Sequence, residues 1–211
     1  GRSPGVEVKF FDLDWQLLQQ ENLAAGQDAM EIQAPERTVS ASIRLLALSE
    51  QGYPLLTLEE LPRLNIPAAY WRGSWIWNQN GFGPDNSNVW FQREIELEQI
   101  PEEATLVATG DDLLEVFING RSLGQNSNWT DAQCFSLSGH LKPGKNSLVL
   151  RVFNVQAWGG MLCDLYLKTG DQIQYIVSDA SWLCQVGGDR IPKRFSQPVM
   201  VLGPVPVAPW G

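Results

Sequence analysis

Residues 110–124 read GDDLLEVFINGRSLG, and this stretch decides the fold. An acidic turn, Gly110-Asp111-Asp112, enters a strand in which Leu114, Val116 and Ile118 fall on one face, and Asn119-Gly120 then reverses the chain. An Asn-Gly pair accommodates the positive φ angles of a two-residue type I′ turn, so the stretch predicts a β-hairpin. Antiparallel strands alternate in direction on either side of it. The hairpin therefore assigns each neighbouring loop to one end of the fold or the other.

On the N-terminal side, SWIW at residues 74–77 predicts a strand carrying Trp75 and Trp77 on one face, followed by the polar loop NQNGFGPDNSN at 78–88. Residues 90–97 alternate. Phe91, Ile95 and Leu97 share a face with Arg93, and an inward-pointing arginine predicts a buried carboxylate partner in preference to a ligand role. Residues 104–109 form the next strand. On the C-terminal side, residues 121–124 return from the hairpin and a loop spans 125–133. Further strands are predicted at 134–137, 147–153, 161–167 and 173–177, with Leu148, Leu150 and Val152 on one face of the second. Leu141-Lys142-Pro143-Gly144 and Thr169-Gly170-Asp171 are turns, and 155–160 is a loop. Short strands at regular turn spacing, with no long helix, predict an all-β, antiparallel β-sandwich.

The first third of the chain reads differently. Residues 6–11, 29–32, 38–48 and 55–58 are strand candidates, 12–22 is a turn or two of helix or an irregular passage, 51–54 is a turn, and 59–67 is a connector holding Pro62 and Pro67. The expected organisation is a strand-rich N-terminal segment over 1–66, followed by the sandwich domain over 67–211. The segment either adds strands to the sandwich or closes a preceding module. The opening Gly-Arg-Ser-Pro-Gly reads as a linker, and the chain as a piece of a longer protein.

Composition narrows the partners. The chain has 211 residues, 44% of them hydrophobic, enough for a packed core. Fifteen basic against 24 acidic side chains give a net charge of −9, which argues against binding nucleic acid or an anionic membrane surface. No apolar run approaches the ~18 residues of a membrane span. Nine tryptophans exceed the ordinary needs of a core, and aromatic planes are what sugars and peptides stack on. Cys134, Cys163 and Cys184 follow no CxxC pattern. They read as one disulfide plus a free thiol or, preferably, as buried free thiols.

SWIW, WFQREIEL, ATLVATGDDLLEVFINGRSLG, LKPGKNSLVLRVFN, GGMLCDLYL, IVSDASW and the closing APWG, taken in order, resemble the galactose-binding-like jelly-roll modules attached to glycoside hydrolases. The accessory domains of bacterial α-L-rhamnosidases and the sugar-binding domain of the β-galactosidase and β-glucuronidase family are the nearest comparisons. The resemblance covers about residues 68–211. It implies a non-catalytic module that binds a saccharide, in some members with calcium, or that braces a neighbouring catalytic domain of its parent chain. The expected setting is extracytoplasmic, secreted or periplasmic, with no signal peptide in the chain itself.

Strand direction places the loops 78–88, 110–112, 125–133 and 155–160, together with 179–181, at the end opposite Asn119-Gly120. Candidate ligand-binding residues on them are Asp111, Asp112, Asn126, Asn128, Trp129, Gln156 and Trp158. A sugar needs an aromatic plane under its C–H face and carboxylates or amides for its hydroxyls. Trp129 or Trp158 is the expected platform, and Asp111, Asp112 and Asn128 the expected hydrogen-bonding groups. A second reading makes Asp111-Asp112 only a turn, in which Asp bonds its own backbone. Trp75, Trp77, Trp90 and Trp182 lie on strand patterns and are expected in the core. Asp85 is the candidate calcium ligand, without EF-hand spacing. The single histidine, His140, is expected at the hairpin end as a solvated turn residue. No carboxylate pair, Ser-His-Asp set or phosphate loop supports catalysis. The competing function is a protein-interaction module, with the Pro-rich tail 203–210 as linker or clamp.

Overall fold

Asn119 and Gly120 adopt φ angles of 51° and 83°, the pair of positive values a type I′ turn requires, so the predicted hairpin is present. It joins β7 (Leu113–Ile118) to β8 (Arg121–Asn126). The structure, a computed structural model, describes residues 6–11, 17–23, 35, 40–45, 71–79 and 83–210. The chain divides into two units, Gly1–Leu61 and Pro62–Gly211, where the sequence set the division between 66 and 67.

In the first unit, β1 (Val6–Phe11) pairs antiparallel with β2 (Leu17–Leu23) on one side and β3 (Ser40–Leu45) on the other. β2 corrects the expectation of a helical or irregular passage over 12–22. Its LLQQENL sequence has no strong local preference, and the run of partners from Val6↔Leu23 to Phe10↔Gln19 makes it a strand. The strands and turns expected at 29–32 and 51–58, and the connector 59–67, lie outside the described residues.

The second unit holds β4 (Ser74–Trp77), β5 (Ser87–Leu97), β6 (Glu103–Asp111), β7, β8, β9 (Gln133–Ser136), β10 (Gly144–Asn154), β11 (Gly160–Thr169), β12 (Gln172–Val177), β13 (Leu183–Val186), β14 (Gln197–Pro198) and β15 (Met200–Pro204). They form two antiparallel sheets, β14-β13-β5-β10-β7-β8 and β15-β4-β11-β6-β9, with β12 paired to β11. This is the antiparallel β-sandwich of the sequence reading. Strands β13, β14 and β15 have no clear alternation and exist through pairing, β13 with β5, β14 with β13 and β15 with β4.

Alternation sets the core. The β7 burial pattern puts Leu114, Val116 and Ile118 inside, against Phe91 and Ile95 of β5, Leu148, Leu150 and Val152 of β10 and Leu106 of β6. Each such side chain contributes about 1.5–3 kcal/mol on leaving water. Trp77 and Trp182 fill the same interior, while Trp90 packs on the outer face of the first sheet and Trp75 on that of the second. Trp75 and Trp77 therefore do not share a face. β4 stays paired with β15 through Trp77, across a register shift between Val201 and Gly203, and Trp77 enters the interior beside Ile76, its Nε1 donating to the Gly83 carbonyl at 2.7 Å. Arg93 also differs from expectation: its Nη1 donates to the Ser181 carbonyl at 3.1 Å, not to a carboxylate. The three cysteines are free, and burial pushes the Cys134 thiol up to about 12 and Cys184 up to about 11.

Strand register separates the two ends. Ser87↔Asn154, Leu113↔Phe153, Leu114↔Asn126 and Gly160↔Asp111 lie at one end, and Leu97↔Gly144, Ile118↔Arg121 and Thr169↔Gln172 at the other. Loop residues 83–86, 110–112, 127–132 and 155–159 thus gather opposite the hairpin turn. Residues 179–181 do not join them. Val177↔Asp164 and Leu183↔Gln92 are mid-strand positions, so this crossover lies along the flank of the sandwich.

Candidate functional site

The loop end is built from two clusters that meet at Asp111 and Asp112. In the first, loop 155–159 is laced to loop 83–86: Gly83 N donates to the Ala157 carbonyl at 2.9 Å, Asn86 N to the Val155 carbonyl at 3.1 Å, and Asn154 Nδ2 to the Pro84 carbonyl at 3.1 Å. Asp85 Oδ1 accepts from Ala157 N at 2.9 Å, and Asp112 Oδ2 from Val155 N at 2.7 Å. Gly159 closes this loop where a Cβ would stand 2.2 Å from the Trp77 ring. Only glycine fits there. The result is a short loop fixed at Val155, Ala157 and Gly159 that carries Gln156 and Trp158 outward, with Trp158 48% exposed.

The second cluster covers the outer face of the second sheet. Trp210, near the C-terminus, stacks on Trp75 with ring centroids 4.5 Å apart and planes 17° off parallel. Its Nε1 donates to Asp111 Oδ2 at 2.9 Å. Trp129 packs partly buried against Trp75, Leu162 and Trp210, and its carbonyl accepts the Thr109 hydroxyl at 3.0 Å. Burial pushes the Asp111 carboxyl up to about 6, opposed by the Trp210 hydrogen bond and reinforced by the neighbouring Asp112. This carboxyl changes charge near neutrality. The tail that sequence reading left open between linker and clamp acts as a clamp, and Trp210 is the residue that reading missed.

The remaining candidates build their own loop. Asn126 is buried, donating to the Asp131 carbonyl at 2.6 Å and accepting from Asn128 N at 3.0 Å. Asn128 donates to Asp131 Oδ2 at 2.7 Å and accepts from Thr130 N and Oγ1. These side chains are spent on the turn, as Asx motifs are. The structure therefore brings Asp85, Asp112, Gln156 and Trp158 together, sets Asp111 and Trp129 beside them under Trp210, and leaves Asn126 and Asn128 inside their own loop.

A calcium ion takes six to eight oxygens. Among the described residues no three His, Cys, Asp or Glu side chains converge, and Asp85 Oδ1 already accepts from Ala157 N.

Sequence comparison now bears on this geometry. An α-L-rhamnosidase of Streptomyces avermitilis is 30% identical over 120 residues, 52% of this chain and 12% of that protein. The chain resembles a module of α-L-rhamnosidases. No family model matches it. The solved structure of the Streptomyces avermitilis enzyme complexed with L-rhamnose superposes with a TM-score of 0.57 at 17% identity, covering 100% of this chain and 25% of that one. A Pleurotus ostreatus lectin in its apo form gives a TM-score of 0.58 at 18% identity, over 100% of this chain and 82% of the lectin. At such identities the structural likeness is one of fold. The rhamnosidase-like chain spans about one-eighth of the length of its curated relative.

Proposed function

We propose that this chain is a non-catalytic accessory module of a glycoside hydrolase that binds a neutral saccharide at its loop end. The observation that carries the reading is the laced loop 155–159, which holds Trp158 half exposed on a rigid base. Exposing a tryptophan costs stability, and fixing its loop by four hydrogen bonds to the backbone of Val155 and Ala157 and by a glycine seat lowers the ordering cost of binding. Trp158 is the platform, and Gln156 on the same loop and the carboxylates of Asp85 and Asp112, which bond that loop, are the polar groups. Trp129 supports that corner by packing rather than by presenting a face. The similarity to a rhamnosidase over 120 residues supports a saccharide-processing partner, and the acidic net charge suits an uncharged ligand.

Calorimetric titration with L-rhamnose, galactose and plant polysaccharides tests the reading. Saturable heat that disappears in Trp158→Ala supports it; no heat for any sugar overturns it. An extracytoplasmic setting belongs to this proposal.

One observation favours a second reading, that the loop end docks on a neighbouring catalytic domain. Val155, 45% exposed, lies three residues from Trp158 in the same loop, and paired apolar side chains suit a protein surface as well as a sugar ring. Sugar-quenched Trp158 fluorescence separates the two, since docking predicts none.

A further inference from the structure

Asp111 and Asp112 hold the two ends of the loop that carries Trp158. Asp112 takes the entry: its backbone N donates to the Phe153 carbonyl at 3.1 Å, and its Oδ2 accepts from Val155 N at 2.7 Å. Asp111 takes the exit, since Gly160 is its cross-strand partner between β6 and β11. The two aspartates adjoin in sequence. A displacement of Asp111 therefore reaches both ends of the loop.

The exit is also walled on both faces. Successive residues of an extended chain point to opposite faces, and Gly159 and Gly160 meet different rings. A Cβ on Gly159 would enter the Trp77 ring, whereas one on Gly160 would stand 2.6 Å from Trp75 Cε3 and 2.8 Å from Trp210 Cζ2. The backbone thus leaves the loop between Trp77, in the core, and the stacked pair of Trp75 and Trp210 on the outer face. Trp75 is held by β4, which pairs with both β11 and β15. Trp210 belongs to neither sheet. The tail delivers it, and its anchors are the Val207 N to Trp210 carbonyl bond at 3.0 Å, the stack on Trp75 and the 2.9 Å bond from its Nε1 to Asp111 Oδ2. Only 3% of it is exposed.

One side chain of the tail therefore bears on the framework of the Trp158 loop at two points, the Gly160 backbone and the Asp111 carboxylate. We infer that Trp210 is a positioning residue for the loop-end site: docked on Trp75 and Asp111, it holds the two ends of loop 155–159 in place, and its release weakens saccharide binding by loosening that loop. The inference rests on Trp158 being the platform. Its physical basis is pre-organisation, since a loop that must be ordered during binding gives up affinity that a loop already fixed retains. The bonds from Asp85 and Asp112 fix Ala157 and Val155 to their neighbours, while the tail fixes where Asp111 and Gly160 stand.

Two measurements on the 211-residue chain test it. One is native-state amide hydrogen exchange at Val155 and Ala157, with Asn119 and Ser147 at the hairpin end as references; the other is calorimetric titration with L-rhamnose and galactose. Trp210→Ala removes both the outer wall of Gly160 and the donor to Asp111. The expected result is exchange about tenfold faster at Val155 and Ala157, reference amides unchanged, and saccharide affinity about tenfold weaker. Trp210→Phe keeps a ring on Trp75 but has no N–H, and its expected effect is about threefold on both readouts. Asp111→Asn keeps an acceptor for Trp210 and is expected to stay within about twofold of wild type. A tail that serves stability alone gives another pattern. Equal acceleration at both ends of the sandwich, no acceleration at Val155, or wild-type affinity in folded Trp210→Ala overturns the inference. If the wild-type chain gives no heat with any sugar, the platform reading fails, and exchange at Val155 and Ala157 still decides whether the tail holds the loop. If Trp210→Ala does not fold, Trp210→Phe decides by the same criteria.

Discussion

The two ends of the sandwich are equally rich in polar side chains, yet they use them differently. At the hairpin end Asn119 donates to the His140 carbonyl and to Asn146 Oδ1 and accepts from Ser147 N. Buried Asn146 accepts from Lys142 N and donates to the Lys142 and Gly144 carbonyls. Those contacts close the turns and leave little to offer a ligand. At the loop end Asn126, Asn128, Asp85 and Asp112 are similarly engaged, but the loops they fix also carry Trp158 outward and hold Asp111 half buried. Polar composition therefore does not mark a site. What marks it is an aromatic ring half exposed on a fixed loop.

This contrast is most severely tested at Asn146. Replacing it with Ala removes four hydrogen bonds around a buried amide and leaves backbone groups of the Lys142 turn unpaired. The expected loss is about 3 kcal/mol, read by urea unfolding, with saccharide binding per folded molecule unchanged. A loss below about 1 kcal/mol breaks the claim that the hairpin end is purely structural stitching.

Gly159→Ala is the counterpart at the other end. Its Cβ would overlap the buried Trp77 ring, and overpacking of this kind costs about 1–3 kcal/mol. Here binding is expected to weaken as well, because the loop that seats Trp158 must move. A destabilised variant with full affinity would show that the platform does not depend on its seat.

Asp111 gives a smaller, pH-dependent effect. Its folded value of about 6 lies above the ordinary 3.8, so the native carboxyl keeps its proton to higher pH than the unfolded chain does. Stability is therefore highest below about pH 4, falls as pH rises to about 6, and is flat beyond. The amplitude is on the order of 1 kcal/mol once solvent screening of this half-exposed group is allowed for. Asp111→Asn keeps an acceptor for Trp210 and should flatten that slope in pH-dependent denaturation, while Asp112→Asn should only reduce it, because burial rather than Asp112 is the larger cause of the raised value.

The same contrast explains what could be read without coordinates. Asn119-Gly120 and the alternating runs of β5, β7 and β10 are local signals, and strand polarity then carried four loops to the correct end. The 179–181 loop escaped because polarity assumes full-length strands, and β12 stops halfway along β11. Alternation puts Trp75 and Trp77 on one face, but a period of two holds only in a regular ladder, and β4 pairs with β15 across a register shift between Val201 and Gly203. The partners of Asn126, Asn128 and Asp111 were not legible, since sequence gives the donors and acceptors of a loop but not which have already been satisfied. Asp111 meets Trp210 across 99 positions, and no spacing rule spans that distance.

The finest test separates stability from function at a single side chain. Trp158 is 48% exposed, so Trp158→Ala removes only about half of the burial of a core ring and should cost about 1 kcal/mol of unfolding free energy. Trp129→Ala, which strips a partly buried ring from the cluster of Trp75, Leu162 and Trp210, should cost more, about 1–3 kcal/mol. Binding at the loop end should follow the opposite order, abolished by the first change and only weakened by the second. If Trp129→Ala instead abolishes binding at unchanged stability, the aromatic plane lies on the β8–β9 loop, and the laced loop is scaffold like the hairpin end.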